Sequence, residues 1–259
     1  MNHKVLIIAG PTASGKKEFA LRAAERFNGE IVSADSRKVY RYLDIGTAKP
    51  SREERERIPH HLIGIIEPDE PFSAGEWVRR ASGAVSGILE RGKLPIISGG
   101  TGFYIEAFMQ GLSEGISVDA ELRNELAREL AEYGGDALYN KLEQVDPVRA
   151  AELHVHDTFR VLRSLEIFYS TGQVYSELRK NAKITGGEYD YFSVGIALGR
   201  PVLYRRINER VDRMVKAGLL DELSAILARG YARGLPSLDT VGYKEWFPYL
   251  DGADSFENC

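Results

Sequence analysis

Apolar residues change their spacing twice along the chain, and each change marks a boundary in the architecture. From residue 5 onward, short unbroken runs rich in β-branched side chains alternate with amphipathic stretches: VLIIA (5–9), KKEFALRAAERF (16–27), EIVSA (30–34). Unbroken apolar runs suit strands covered on both faces, and the intervening period of about 3.6 suits helices, so this rhythm predicts βαβ units and a parallel sheet. HLIGII (61–66) and LPIISG (94–99) read as two further strands, joined by a crossover helix in SAGEWVRRASGAVSGILERG (73–92) with Ser73 as its N-cap. From about 115 to 185 strand signals give way to helical periodicity, in DAELRNELARELAEYGG and DTFRVLRSLEIFYSTG, each closed by glycine. YFSVGIAL (191–198) returns the chain to the sheet, and the stretch 201–230 supplies helices that start with proline in the first turn. Two domains are expected: an α/β core from 1–114 and 186–259, and an all-helical insertion at 115–185.

Composition narrows the setting. At 43% hydrophobic and 28% charged residues, a chain of 259 residues has the make-up of a soluble globular protein and neither a disordered nor a fibrous one. A formal net charge of -4 exerts no overall pull on nucleic acid, although a local basic face would suffice for binding. The single cysteine, Cys259, excludes an internal disulfide and a cysteine-based metal site. The apolar run in MNHKVLIIAG is too short for a signal peptide or a membrane span, so no membrane association and a cytoplasmic location are expected.

Candidate chemistry starts at GPTASGKK, residues Gly10, Pro11, Thr12, Ala13, Ser14, Gly15, Lys16 and Lys17, set between a strand and a helix. Backbone N–H groups at such a helix start bind phosphate oxygens and Lys16 adds a charge, which makes the core P-loop NTPase-like. Lys17 departs from the pattern, because a phosphate loop normally places there the serine or threonine hydroxyl that sits on Mg²⁺. Asp35 follows the second strand at its carboxyl end, where open α/β sheets bind ligands; the lesser alternative on position alone is an Asx turn that starts the loop. In ISGGTGFY, Gly99, Gly100 and Gly102 permit close backbone approach, and Thr101 offers a hydroxyl or a helix cap. Arg160 and Arg163, three apart on one helix face, suit a phosphate backbone; Phe159 beside them suits base stacking or, more commonly, a core. His60 and His61 are adjacent on an extended segment and face opposite sides, so structural roles are expected for them, and His154 and His156 lack a third ligand, so surface or cap roles are expected there.

Taken in order, GPTASGK, DSRKVYRYLDIGTAKP, PHHLIGIIEPDEPFSAGEW, ISGGTGFYIEA, RVLRSLEIFYSTG, LYRRINERVDRMVKAGLLDEL and LPSLDTVGYKEW resemble the tRNA dimethylallyltransferases, or tRNA isopentenyltransferases, over nearly the whole chain. The resemblance implies transfer of a dimethylallyl group from dimethylallyl diphosphate to N6 of the adenosine 3′ to the anticodon, in tRNAs reading codons that begin with U. The phosphate loop then grips a leaving diphosphate. Lys16, the loop amides and Arg206 or Arg210 would stabilise its charge; Asp35 would accept the N6 proton, and Thr101 would hydrogen-bond near the bridging oxygen. The family also contacts tRNA at the positions of Asp35, Ser36, Arg37, Lys38, Thr101, Arg123, Phe159, Arg160 and Arg163, with glutamine common where Lys38 and Phe159 stand. Mg²⁺ is implied as cofactor, its ligands unknown and its hold weakened by Lys17; the GKK spelling leaves open a second cation that does part of the metal's work, a lysine turned to solvent with water completing the metal shell, or a catalytically weak copy. A monomer is expected. Members usually continue past GYKEW into a further helix and a basic, aromatic stretch, so a weaker hold on tRNA is expected here, about 1 kcal/mol or more per missing stacking aromatic. The competing readings are an adenosine-phosphate isopentenyltransferase, a P-loop small-molecule kinase and an inactive RNA-binding paralogue.

Overall fold

The computed structural model describes residues 4–112, 120–180 and 189–255. In chain order the elements are β1 (Lys4–Ala9), α1 (Lys16–Phe27), β2 (Gly29–Ala34), α2 (Arg52–Arg57), β3 (His60–His61), α3 (Ala74–Glu90), β4 (Leu94–Gly99) and α4 (Gly102–Gln110). Then follow α5 (Ala120–Val145), α6 (Pro147–Glu152), α7 (Thr158–Thr171), α8 (Tyr175–Lys180), β5 (Asp190–Gly195), α9 (Arg200–Lys216), α10 (Leu219–Ala228) and α11 (Phe247–Leu250). Two compact units result: Met1–Met109 with Gly186–Cys259, and Gln110–Thr185. The junctions expected at 114 and 186, and Cys259, lie outside the described residues.

The first unit is a parallel sheet of order β3-β2-β4-β1-β5. Strand alternation sends Leu6, Ile8, Ile31 and Ile96 to one face, where they meet Ala20, Leu21, Ala23 and Ala24 of α1. On the other face α3 buries Trp77, Val78, Ala81, Val85 and Ile88, and the Trp77 Nε1–H donates to the Ser33 carbonyl at 2.9 Å. Register matters most for function, because Ala34, Gly99, Ala9 and Gly195 pair in one row. The loops that follow β2, β4, β1 and β5 therefore leave the sheet at one level. The chain departs from β1 toward β2 and from β4 toward β5, so these crossovers run in opposite directions and open a crevice above the β1 and β4 ends.

One expectation is corrected. HLIGII is not a full strand: only His60–His61 pairs regularly, Leu62 and Gly64 turn the chain at positive φ (62° and 61°), and a single bridge joins Tyr40 to Ile66. The remainder pins the loop after β2, with Gly64 N–H donating to Lys38 O and Ile65 N–H to Val39 O. As expected, a glycine of LAEYGG closes a helix: Gly134 leaves the helical conformation (φ 80°, ψ 172°), so α5 is two helices joined at a kink. Gly135 is needed there because a Cβ would meet Thr158 at 2.9 Å. The stretch 201–230 is two helices, split at Gly218 (φ 95°).

The second unit packs α5 against α6 and α7 around Leu126, Leu138, Leu142, Ala150, Val161 and Leu165. Buried Asp146 caps α6 through Oδ1, accepting from Arg149 N–H, while its Oδ2 accepts from Ser176 N–H of α8.

Candidate active site: a phosphate loop in a cationic cleft

The loop after β1 has a shape that its residue types enforce. At Gly10 a Cβ would lie 2.7 Å from the Ile196 carbonyl oxygen and 2.9 Å from Ser14 Oγ, so only glycine fits. Ala13 and Gly15 take positive φ (61° and 95°), and Gly15 begins α1 with no side-chain cap. The first N–H groups of α1 are thus left to a ligand. Lys16 folds over the loop and donates to the Pro11 carbonyl at 2.9 Å. Burial lowers its pKa, opposed by the nearby Asp35 charge and aided by Arg210. Ser14 Oγ is buried in the loop and has no hydrogen-bond partner among the described residues.

Asp35 and Thr101 arrive from neighbouring strand ends. Gly99 is pressed so closely on Ala34 that a Cβ would sit 1.9 Å from the Ala34 oxygen, which draws the β2 and β4 loops together. Thr101 N–H donates to Ala34 O, and Thr101 Oγ1 accepts from Ser36 N–H at 3.0 Å. The threonine hydroxyl therefore ties two loops. Asp35 Oδ1 accepts from Arg37 N–H (2.9 Å) and Lys38 N–H (3.3 Å), an Asx turn, while Oδ2 makes no hydrogen bond among the described residues. Asp35 is both a turn former and a carboxylate lining the cleft.

Around these groups lies a cleft of about 850 Å³, lined by nine lysine and arginine residues against four acidic ones. Such an excess in a protein of net charge -4 concentrates anions locally. Arg206 lies 3.7 Å from the position a Gly15 Cβ would take, and Arg210 donates to Thr47 O at 3.4 Å. Burial lowers the pKa of Arg210 and pulls that of Lys38 down to about 8, against the attraction of Asp35 and with the repulsion of Arg210, Lys16 and Lys17. Thr12, Ala13, Gly15, Lys16, Lys17, Asp35, Lys38, Arg206 and Arg210 all line this one cleft. Arg37 turns away from it and donates to the Pro236 carbonyl at 2.6 Å.

Lys17 pairs with Glu54 of α2 at 2.9 Å, and Glu54 closes a capping box with Ser51. With side-chain exposures of 49% and 22%, such a pair contributes about 0.2–1 kcal/mol. The site therefore does not fit Mg²⁺ well: no hydroxyl follows Lys16, Ser14 Oγ is turned toward Gly10, and no group of three or more His, Cys, Asp or Glu among the described residues could hold a metal ion.

Sequence reasoning missed the brace behind the cleft. Glu222 of α10 accepts backbone N–H bonds from Asp44, Ile45 and Gly46 (3.0, 2.8 and 3.2 Å) and the Tyr243 O–H at 2.6 Å. The fully buried Tyr243 ring lies so close to Gly46 that a Cβ would be 2.4 Å away. DIGTAKP and GYKEW are thus two halves of one lock, a pairing that no local spacing announces. Away from the cleft, Glu30 is buried among His61, Arg91 and Lys93 at 2.7, 2.7 and 3.0 Å, which confirms a structural role for His61.

In the helical unit, Glu166 of α7 bridges Arg123 (3.3 Å) and Arg163 (2.9 Å), and Arg160 pairs with Asp157. Phe159 is 79% exposed, which removes the core reading and leaves a free ring beside arginines. The His154 and His156 rings lie 5.0 Å apart at a tilt of 56°, Nδ1 of the first accepting the backbone N–H of the second.

A five-stranded parallel sheet, with a glycine-bracketed phosphate loop between its first strand and first helix, defines a P-loop NTPase-like α/β protein. Among known proteins, the family model described as IPP transferase matches residues 38–259. A tRNA dimethylallyltransferase of Thermotoga neapolitana is 45% identical over 254 residues, covering 98% of this chain and 82% of its own. The full-length tRNA isopentenylpyrophosphate transferase of Bacillus halodurans superposes with a TM-score of 0.69 at 41% identity, covering 99% and 80% of the two chains. A eukaryotic dimethylallyltransferase acting on tRNA gives 0.78 at 30% identity, covering 97% and 64%. The chain belongs to the IPP transferase family. No helix among the described residues is long and apolar enough to cross a membrane.

Proposed function

We propose that this protein transfers a dimethylallyl group from dimethylallyl diphosphate to N6 of the adenosine 3′ to the anticodon in tRNAs reading codons that begin with U, acting as a monomer in the cytoplasm. The observation that carries this reading is the meeting of a phosphate loop, a cationic wall and Asp35 in one cleft. The acceptor class follows from the relatives named above, which are transferases acting on tRNA. The N6 lone pair is delocalised into its ring and attacks weakly, so the barrier falls chiefly through leaving-group stabilisation. As the N6–carbon bond forms, the electrons of the allylic C–O bond leave with diphosphate. Lys16, the open α1 amides, Arg206 and Arg210 would receive that charge, a single preorganised donor being worth about 3–4 kcal/mol. Asp35 Oδ2 would take the N6 proton, a general-base contribution of about 10² to 10⁴ in rate. Thr101, held by Ser36, would align the bridging oxygen. The helical unit, with Arg123, Phe159, Arg160 and Arg163, would hold the anticodon stem-loop, where flipping an adenine out of an already single-stranded loop costs least. Mg²⁺ is the cofactor the family resemblance implies, and no step above is routed through it.

Incubation with dimethylallyl diphosphate and unmodified tRNA, AMP or ATP, followed by nucleoside mass spectrometry, tests the assignment. Prenylated N6-adenosine in tRNA alone is expected. Prenylation of free nucleotide, phosphoryl transfer from ATP, or tRNA binding without turnover would each overturn it.

A further inference from the structure

The poor fit to Mg²⁺ has a cause on the chain itself, and the inference from it rests on the donor-binding reading above. We propose that Lys17 stands in for the divalent ion of the phosphate loop: when the donor enters, its ammonium leaves Glu54 and pairs with diphosphate oxygens, so that donor binding requires no metal.

Position is the first support. Lys17 is the second residue of α1, immediately after the loop lysine, where a phosphate loop ordinarily carries the metal-binding hydroxyl. A side chain rooted there lines the same cleft as the phosphate loop, and lysine's four-carbon stem can carry a positive charge toward a bound diphosphate. Release is the second. Among the described residues Lys17 Nζ is held by Glu54 alone, at 2.9 and 3.0 Å, in a pair that solvent already screens. Glu54 is not stranded by its departure, because Oε2 also accepts the Ser51 N–H at 2.8 Å within the capping box. Compensation is the third. Lys16, Lys38, Arg206 and Arg210 line the same cleft, so Lys17 completes a set of cations able to neutralise a diphosphate without outside help. Of the loop's two hydroxyls, Ser14 Oγ faces Gly10 and Thr12 lines the cleft four positions before Lys16, so neither occupies the position after the loop lysine.

Calorimetric titration of the full chain with dimethylallyl diphosphate and with inorganic diphosphate, in Mg²⁺ and in EDTA, tests the exchange. Chelation is expected to change the affinity of the unaltered protein by less than about threefold, and to weaken Lys17→Thr by roughly tenfold or more, a loss that Mg²⁺ restores. Glu54→Gln, which frees the ammonium while leaving the loop untouched, is expected to tighten diphosphate binding by about threefold. Loss of binding in the unaltered protein on chelation would overturn the proposal and leave the donor site intact. Weaker binding by Glu54→Gln would do the same. Absence of diphosphate binding in both media would instead remove the donor-binding reading itself, and this proposal with it.

Discussion

Asp35 commits one carboxylate oxygen to the turn behind it and presents the other to the cleft. Asp35→Asn keeps an oxygen for the turn and loses the proton acceptor. Single-turnover transfer is expected to fall about 10² to 10⁴-fold while diphosphate affinity changes little, since the phosphate contacts lie elsewhere. Lys38 makes the cleft sensitive to alkali. Its amine is charged below about 8 and neutral above, whereas in the unfolded chain it holds its proton to 10.5. Anion binding by the cleft is therefore expected to weaken as pH rises through about 8, and titrations at pH 7 and 9 should lose this difference in Lys38→Gln. The sign for stability is opposite: the folded chain binds fewer protons between about 8 and 10.5, so stability gains a rising contribution with pH in that window.

At the level of elements, the cleft is shaped by parts that never touch a ligand. Glu222 and Tyr243 hold the loop that carries Thr47, and Arg210 rests on that loop. Gly46→Ala would drive a methyl into the buried Tyr243 ring, with an expected loss of about 1–3 kcal/mol in denaturant unfolding and a weaker diphosphate site. Glu30 pins β2 to the α3–β4 turn. Burial alone would push its pKa up, yet the hydrogen bonds from Arg91, His61 and Lys93 prevail and hold it down at about 2. A depressed carboxylate stabilises the fold fully above its unfolded value of 4.5 and ceases to do so as pH falls through about 2. Glu30→Gln leaves Arg91 and Lys93 facing a neutral group; a cost of about 3 kcal/mol is expected at neutral pH and disappears toward pH 2, as thermal unfolding across that range would record.

For the whole molecule, the proposed function divides the labour between the two units, one to hold the donor and the other the RNA. Phe159→Ala is expected to weaken tRNA binding by about 1–3 kcal/mol and to leave diphosphate affinity unchanged, a split that filter binding and calorimetry would separate. Much of this plan was legible beforehand. The β1 run, α1 from Lys16 to Phe27 and β4 from Leu94 to Gly99 match their apolar patterns, because periodicity and phosphate-loop glycines are local properties. HLIGII misled because an apolar run does not reveal whether its N–H groups will meet a strand or a loop. Phe159 misled because helical periodicity does not say which face a neighbour covers. Residue order determined the parallel core, the helical segment and the position of the phosphate loop, since these follow from spacing and backbone freedom. Only the tertiary structure decided that Lys17 pairs with Glu54, that Glu222 and Tyr243 grip Gly46, and that Asp35 lies among Lys16, Lys38 and Arg210. Each of these joins residues distant in the chain, and which of them meet is set by strand order and register.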